Sequence, residues 1–268
     1  MRQVDPSPRA EHCAVAAFFD VDNTIIRGAS SFHLAVGLYR RGFFHRWDLL
    51  RFGLHQARYR LFGENTEQID DLRQEALAIM RGHSVAEVTA IAEDIYDEVL
   101  SLRIYPGTQR LLDEHVAAGH GVWLVTATPV EIASLLARRL GATGGLGTIA
   151  EHADGYYTGR LVGDMLHGEA KAAAVRQLAA QEDLDLGACY AYGDSLNDVP
   201  ILSLVGNPCA INPEGRLRRY AAEVGWPVRE FRVRRRTARR GINAASLAGA
   251  AWAAGLVIRS IRRSLRTR

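Results

Sequence analysis

Cysteine is scarce here: Cys13, Cys189 and Cys209 are the three in 268 residues, and no C-x-x-C pair occurs. An odd count without paired spacing argues against a disulfide framework and fits a reducing, cytoplasmic compartment. The nine histidines include no H-x-x-x-H pair, which excludes the common helical zinc site. The first fifteen residues, MRQVDPSPRAEHCAV, lack the continuous apolar run of a secretory signal. No internal repeat and no nucleic-acid-binding motif occurs, so no nucleic-acid partner is expected.

Charge is balanced overall and unevenly placed. The formal charge is +3, yet residues 229–268 hold twelve Arg against Glu230, leaving the first 228 residues at −8. Between two Arg clusters lies GINAASLAGAAWAAGLVI (241–258), eighteen residues without a charge. That is the lower limit for crossing a bilayer, and its Ala/Gly content gives a weak insertion drive. Arginines on both sides leave it unoriented. Three readings stand: a helix on anionic lipid, a span, or a helix docked on protein. The tail, 232–268, is thus a candidate for peripheral membrane contact, where each Arg contributes about 1 kcal/mol at an anionic surface. A solvated end is the plain alternative.

What is present is a rhythm of short apolar runs and helical patterns. AVAAFF (14–19), GVWLVTA (121–127) and ACYAYG (188–193) suit strands buried on both faces of a parallel sheet. TPVEIASLLARRLG predicts a helix capped by Thr128, with Pro129 first, Glu131 third and Gly141 as its stop. KAAAVRQLAAQ (171–181) is a second helix and DGYYTGRLVG (154–163) a small hairpin or edge segment. CAIN (209–212) and WPVREF (226–231) are the last core elements. The alternation predicts an α/β fold with a doubly wound, Rossmann-like parallel sheet.

Residues 29–103 break the rhythm with three helical patterns: 30–44, 46–63 and 85–103, the last opened by a Ser84/Glu87 capping box. They predict a helical cap inserted after the first strand, above the carboxyl ends of the sheet, where open α/β sheets bind ligands. The expected division is a core of 14–28 and 104–231, a cap of 29–103 and a tail of 232–268. Arg40, Arg41, Arg46, Arg51, Arg58 and Arg60 interleave with aromatics in the cap; they read as the solvated face of an amphipathic helix pair or as an anion-recognising surface.

FFDVDNTIIRG (18–28) drives a buried strand straight into Asp20 and Asp22. Alone these could cap a helix. However, GDSLND (193–198) ends another buried strand with Asp194 and Asp198, Thr126 ends the middle strand, and Lys171 opens a helix. A parallel sheet brings all its strand ends to one edge, so several carboxylates, a hydroxyl and an ammonium converge there. Crowded carboxylates raise each other's pKa, and a hard cation relieves this. Oxygen ligands without His or Cys suit Mg²⁺ together with a substrate phosphate. Asp20 can take up a phosphoryl group as an aspartyl phosphate, with Asp22 as acid and base.

FDVDNTI, LVTAT, Lys171 and GDSLND, in that order and spacing, resemble the four motifs of the haloacid dehalogenase (HAD) superfamily. The insertion and YPGT (105–108) resemble the subgroup containing phosphoserine phosphatase. The resemblance implies Asp20 as nucleophile and Mg²⁺ ligand, Asp22 as acid/base and ligand through its carbonyl, and Asp194 as a third ligand. It implies Asp198 as support of the metal shell and of Lys171, Asn197 as a shaper of the loop, and Thr126, Ala127 and Lys171 as the phosphate site. The expectation is a Mg²⁺-dependent phosphatase of a small phosphorylated metabolite, phosphoserine foremost. Lipid-derived phosphate esters at a membrane surface and a non-catalytic phosphate-binding module are the alternatives. Two departures stand out: Ala29 replaces the subgroup's substrate-binding glutamate, and Thr126-Ala127-Thr128 replaces its S-G-G.

Overall fold

The computed structural model describes residues 15–43 and 80–232. The second of the three helical patterns in the insertion, and the apolar run at 241–258, lie outside the described residues. The chain divides into two units, Met1–Phe231 and Arg232–Arg268. No helix among the described residues is long and apolar enough to cross a membrane.

Strands β1 (Ala16–Asp20), β2 (Gly121–Pro129), β3 (Gly144–Thr148), β6 (Tyr190–Gly193), β7 (Asn207–Ile211) and β8 (Val228–Arg229) form one sheet in the order β3-β2-β1-β6-β7-β8. Every pairing is parallel. The chain winds outward from β1 through β2 to β3, then crosses back to β6 on the other side. This reversal opens a crevice at the carboxyl ends beside β1. Helices α3 (Pro106–Ala117), α4 (Val130–Leu140), α5 (Glu169–Gln181), α6 (Val199–Leu202) and α7 (Gly215–Val224) make the connections.

The sheet is buried on both faces, which is why β1 reads as an unbroken apolar run. Side chains alternate: Ala17 and Phe19 join one apolar cluster with Leu112, Val122, Leu124 and Leu136. Ala16 and Phe18 join the other with Val125, Ala172, Val175 and Ile201. Asp20 is in phase with Phe18 and so faces the layer that holds α5.

The insertion begins with α1 (Ser30–Arg40) and ends with α2 (Val85–Ile95), prolonged by a π turn at Tyr96–Leu100 and a 3₁₀ turn at Ser101–Arg103. Ser84 caps α2 by accepting from the Glu87 amide at 3.5 Å, as its capping pattern predicts. Leu34, Leu38, Val88, Ile91 and Ile95 belong to the same apolar cluster as Ile132, Leu135 and Leu136 of α4. The described inserted helices therefore share a core with the sheet rather than enclosing one of their own.

β4 (Ala150–Ala153) and β5 (Tyr156–Leu161) form a hairpin turned by Asp154 and Gly155, both with positive φ; of its two strands only β5 lies within the 154–163 segment singled out from the sequence. It leaves the sheet at the carboxyl end of β3, and Tyr157 ties it to the insertion. The Tyr157 amide donates to the His83 carbonyl at 3.0 Å, and its carbonyl accepts from the Gly82 amide at 2.8 Å.

One boundary departs from the sequence reading. Thr128 does not cap α4: β2 runs on to Pro129, which is paired with Thr148, and the helix starts at Val130. A residue before proline is biased to extended backbone, which prolongs the strand. The Thr128 hydroxyl instead lies 3.3 Å from that of Thr126.

Candidate active site

Sheet register assembles the site. Asp20 stands opposite Val125, so Thr126 is one residue further along its strand. Phe19 stands opposite Tyr192, which puts Asp20 level with Gly193 and one step before Asp194. Lys171, in the first turn of α5, reaches this edge: its Nζ donates to Asp20 Oδ1 at 2.6 Å and to Asp198 Oδ1 at 2.8 Å. All three are buried.

Oxygens of Asp20, Asp194 and Asp198 lie within 4.8 Å of one another. Asp198 holds the cluster in shape. Its Oδ2 accepts from the Asp194 amide, the Ser195 amide and the Ser195 hydroxyl, each at 3.1 Å. The Asp198 side chain packs on Gly193, where a Cβ would fall 2.4 Å from the Asp198 Cβ. GDSLND thus needs its glycine for contact with its own last aspartate. Asn197 lies in the 3₁₀ turn Leu196–Asp198 between them.

Asp22 is anchored to the start of the insertion. Its Oδ1 accepts from the Ser30 amide at 2.8 Å and the Ser30 hydroxyl at 2.5 Å, at the first turn of α1. The loop between is fixed by Asn23, at φ 61°, whose Oδ1 accepts from the Gly28 amide at 3.1 Å. Asn212 secures the same loop: its Nδ2 donates to the Asn23 carbonyl at 3.2 Å, and its Oδ1 accepts from the Phe231 amide at 2.7 Å. Thr126 is buried, with its Oγ1 accepting from the Thr128 amide at 3.3 Å. The Ala127 carbonyl accepts from Thr148 Oγ1 at 2.8 Å.

The electrostatics follow from burial. Desolvation pushes the Asp20 carboxyl up to about 7; the Lys171 ammonium opposes this, and Asp198 and Asp22 reinforce it. Burial also raises Asp22, against the two Ser30 hydrogen bonds. Burial alone would lower Lys171, but the Asp198 and Asp20 carboxylates outweigh it and hold the ammonium above its ordinary range. Three crowded carboxylates beside one ammonium leave an excess of negative charge, the donor set a hard divalent cation fits. The positive end of the α4 dipole and the Thr126 hydroxyl add an anion-binding edge.

The predicted residues thus meet at one edge, with the Asp22 carboxylate turned toward α1. Ser30, Ser195 and Asn212 escaped the sequence reading. Ser195 is inside a recognised motif; Ser30 and Asn212 carry no local signal, because their partners are 8 and 189 residues away.

A family model described as haloacid dehalogenase-like hydrolase matches residues 17–203. Phosphoserine phosphatase SerB1 of Mycobacterium tuberculosis is 52% identical over 250 residues, covering 93% of this chain and 81% of that one. A histidinol-phosphatase of Neisseria meningitidis is 30% identical over 231 residues, covering 81% of this chain and 98% of its own. Among solved structures, a Bordetella pertussis protein of unknown function superposes with TM-score 0.72 at 32% identity, covering 81% of this chain and 98% of that one. A phosphoserine phosphatase solved as a phospho-aspartyl intermediate analogue shares the fold at TM-score 0.57 and 18% identity, over 81% of this chain and 93% of that one. A matched family model, close relatives and a site built at the matching motifs agree: the chain belongs to the haloacid dehalogenase superfamily of hydrolases and is one of its phosphatases.

Proposed function

We propose that this enzyme hydrolyses the phosphate monoester of a small amino alcohol through an aspartyl phosphate on Asp20. The observation that carries the reading is the buried cluster of Asp20, Asp194 and Asp198 around Lys171. Asp20, Asp194 and the Asp22 main-chain carbonyl would hold Mg²⁺, with Asp198 as support of that shell. The ion, when bound, would neutralise the crowded carboxylates and polarise a phosphoryl oxygen.

The remaining work falls to the chain itself. Thr126, the Ala127 backbone and Lys171 orient the phosphoryl oxygens. An Asp20 oxygen attacks phosphorus as the bond to the ester oxygen breaks, and Asp22 gives that leaving oxygen its proton. Asp22, now a carboxylate, takes a proton from water, whose oxygen attacks phosphorus and breaks the bond to Asp20. Inorganic phosphate leaves and Asp22 is again protonated. The raised pKa of Asp22 suits the first of these roles.

Phosphoserine is the leading substrate. The names of the two relatives, for phosphoserine and histidinol phosphate, point to one chemistry: a primary ammonium on the carbon next to the ester-bearing CH₂. The domain reading that goes with this proposal keeps 14–28 and 104–231 as the catalytic core, 29–103 as a cap and 232–268 as a tail available to anionic lipid.

Hydrolysis of 4-nitrophenyl phosphate with and without Mg²⁺ tests the reading. Wild type should require the ion, and Asp20→Asn should lose at least about 10³-fold. Equal inertness of both proteins across varied phosphate esters would reject it.

A further inference from the structure

Two hydrogen bonds reach the Asp22 carboxylate among the described residues, and both end on one atom. The Ser30 amide donates to Oδ1 at 2.8 Å, and the Ser30 hydroxyl donates to the same oxygen at 2.5 Å. Ser30 is 2% exposed, so water does not compete for that hydroxyl.

Helix capping accounts for half of this. Ser30 is the first residue of α1, and its amide is one of the donors that a helix start leaves without a partner. The cap residue before it, Ala29, has no side-chain oxygen, so the Asp22 carboxylate supplies the acceptor. A cap requires only the amide. The hydroxyl is a second donor, and two donors on one oxygen set both the reach and the rotation of the carboxylate.

This carboxylate belongs to the reacting site. Asp22 lies two residues beyond Asp20, its charge acts on Asp20, and Lys171 and Asp198 act on it. The loop from Asp22 to Ser30 is braced by its own backbone. The Ile25 and Ile26 amides donate to the Val21 carbonyl at 2.9 and 3.0 Å, and the Asn23 amide donates to the Ile26 carbonyl at 2.7 Å. The Arg27 amide ties it to the Arg103 carbonyl at 2.9 Å. Ser30 therefore presents its donors from a fixed place.

We infer, resting on the phosphatase reading above and deepening it, that Ser30 is the positioning residue of the acid–base step: it occupies Oδ1 of Asp22 and leaves Oδ2 to exchange the proton. In the first half-reaction the proton on Oδ2 passes to the ester oxygen, as that oxygen's bond to phosphorus breaks and the bond from Asp20 forms. In the second, Oδ2 takes a proton from water, as the water oxygen bonds to phosphorus and the bond to Asp20 breaks. Without the hydroxyl the carboxyl group turns about its Cβ–Cγ bond, and both transfers lose alignment.

The full-length enzyme with Mg²⁺ and two esters of similar shape, 4-nitrophenyl phosphate and phenyl phosphate, separates positioning from packing. The kcat/KM of each covers the steps up to departure of the leaving group. The nitro group stabilises the departing phenolate, so its ester leans less on the Asp22 proton. Ser30→Ala should lower kcat/KM about tenfold for phenyl phosphate and about threefold for 4-nitrophenyl phosphate. Ser30→Thr keeps the hydroxyl and should hold both esters within about threefold of wild type. Thermal melting checks that each variant folds; should Ser30→Ala fail to fold, Ser30→Cys, with a weak donor in place of the hydroxyl, should show the same unequal losses. Equal losses on the two esters, no loss on either, or a folded Ser30→Thr as impaired as Ser30→Ala overturns the positioning role, while 4-nitrophenyl phosphate hydrolysis by wild type still upholds the phosphatase. A wild type inert toward every ester brings down both.

Discussion

Lys171 is the residue on which the site's charge balance turns. Its ammonium touches two buried carboxylates and is itself buried. Replacing it with methionine leaves both carboxylates in a dry site without a counter-charge. Removing one partner of a buried ion pair costs about 3–5 kcal/mol. Urea denaturation of Lys171→Met should show a loss of that size, and added Mg²⁺ should recover part of it. Gly193 works by absence. A Cβ there would meet Asp198 within its own loop, so Gly193→Ala must displace the residue that positions Lys171 and two backbone amides. Overpacking of this kind costs about 1–3 kcal/mol. Activity should fall with it, because Asp198 would move; a variant of unchanged stability and unchanged activity would contradict the packing argument.

At the scale of elements, α3 and the central strands are joined by a polar chain beneath the sheet. His115 Nε2 meets the Tyr192 hydroxyl at 2.7 Å, and His115 Nδ1 meets His120 Nδ1 at 2.8 Å. Phe19 stacks on Tyr192 at 4.4 Å between centroids. Burial lowers the His115 pKa to about 4, with the charges of His120 and Arg229 adding to the effect. The folded protein therefore resists protonating His115, while the unfolded chain protonates it near 6.5. Above that value the contribution is fully present; it drains away as pH falls from about 6.5 toward 4. Chemical denaturation at pH 7.5 and 4.5 should show this loss, and His115→Gln should flatten the slope. An unchanged pH dependence in that variant would assign the loss to other groups. Helix α2 supplies a smaller test: Ser84→Ala removes its cap and should lower stability by about 1 kcal/mol.

For the whole molecule, the boundary between the two units falls at Phe231. This ring covers the backbone of Gly107, where a Cβ would sit 2.2 Å from a ring carbon, and its amide is bonded to Asn212. Asn212 in turn secures the loop that carries Asp22. A chain ending at Arg232 should melt close to the full-length protein and keep its kcat. One ending at Pro227 loses β8, the Phe231 ring and the Asn212 hydrogen bond, and should melt several degrees lower. Equal melting temperatures for the two truncations would show that the carboxyl-terminal strand contributes nothing to the core.

The sequence alone determined the parallel sheet, because strands buried on both faces must be apolar throughout. It also placed Asp20, Thr126 and Asp194 together, because each sits at the end of such a strand and parallel strands end at one edge. Gly141 as the stop of α4 and Ser84 as the cap of α2 are local signals of backbone geometry, so they were legible too. Tertiary structure alone decided the rest. Thr128 looked like a cap, yet pairing of Pro129 with Thr148 carried the strand past it. The packing of the inserted helices was decided there too: their described apolar faces complete a core shared with α4. Ser30 and Asn212 meet the loop that carries Asp22 only after folding. Contacts between residues far apart in the chain leave no periodicity or spacing behind; packing creates them.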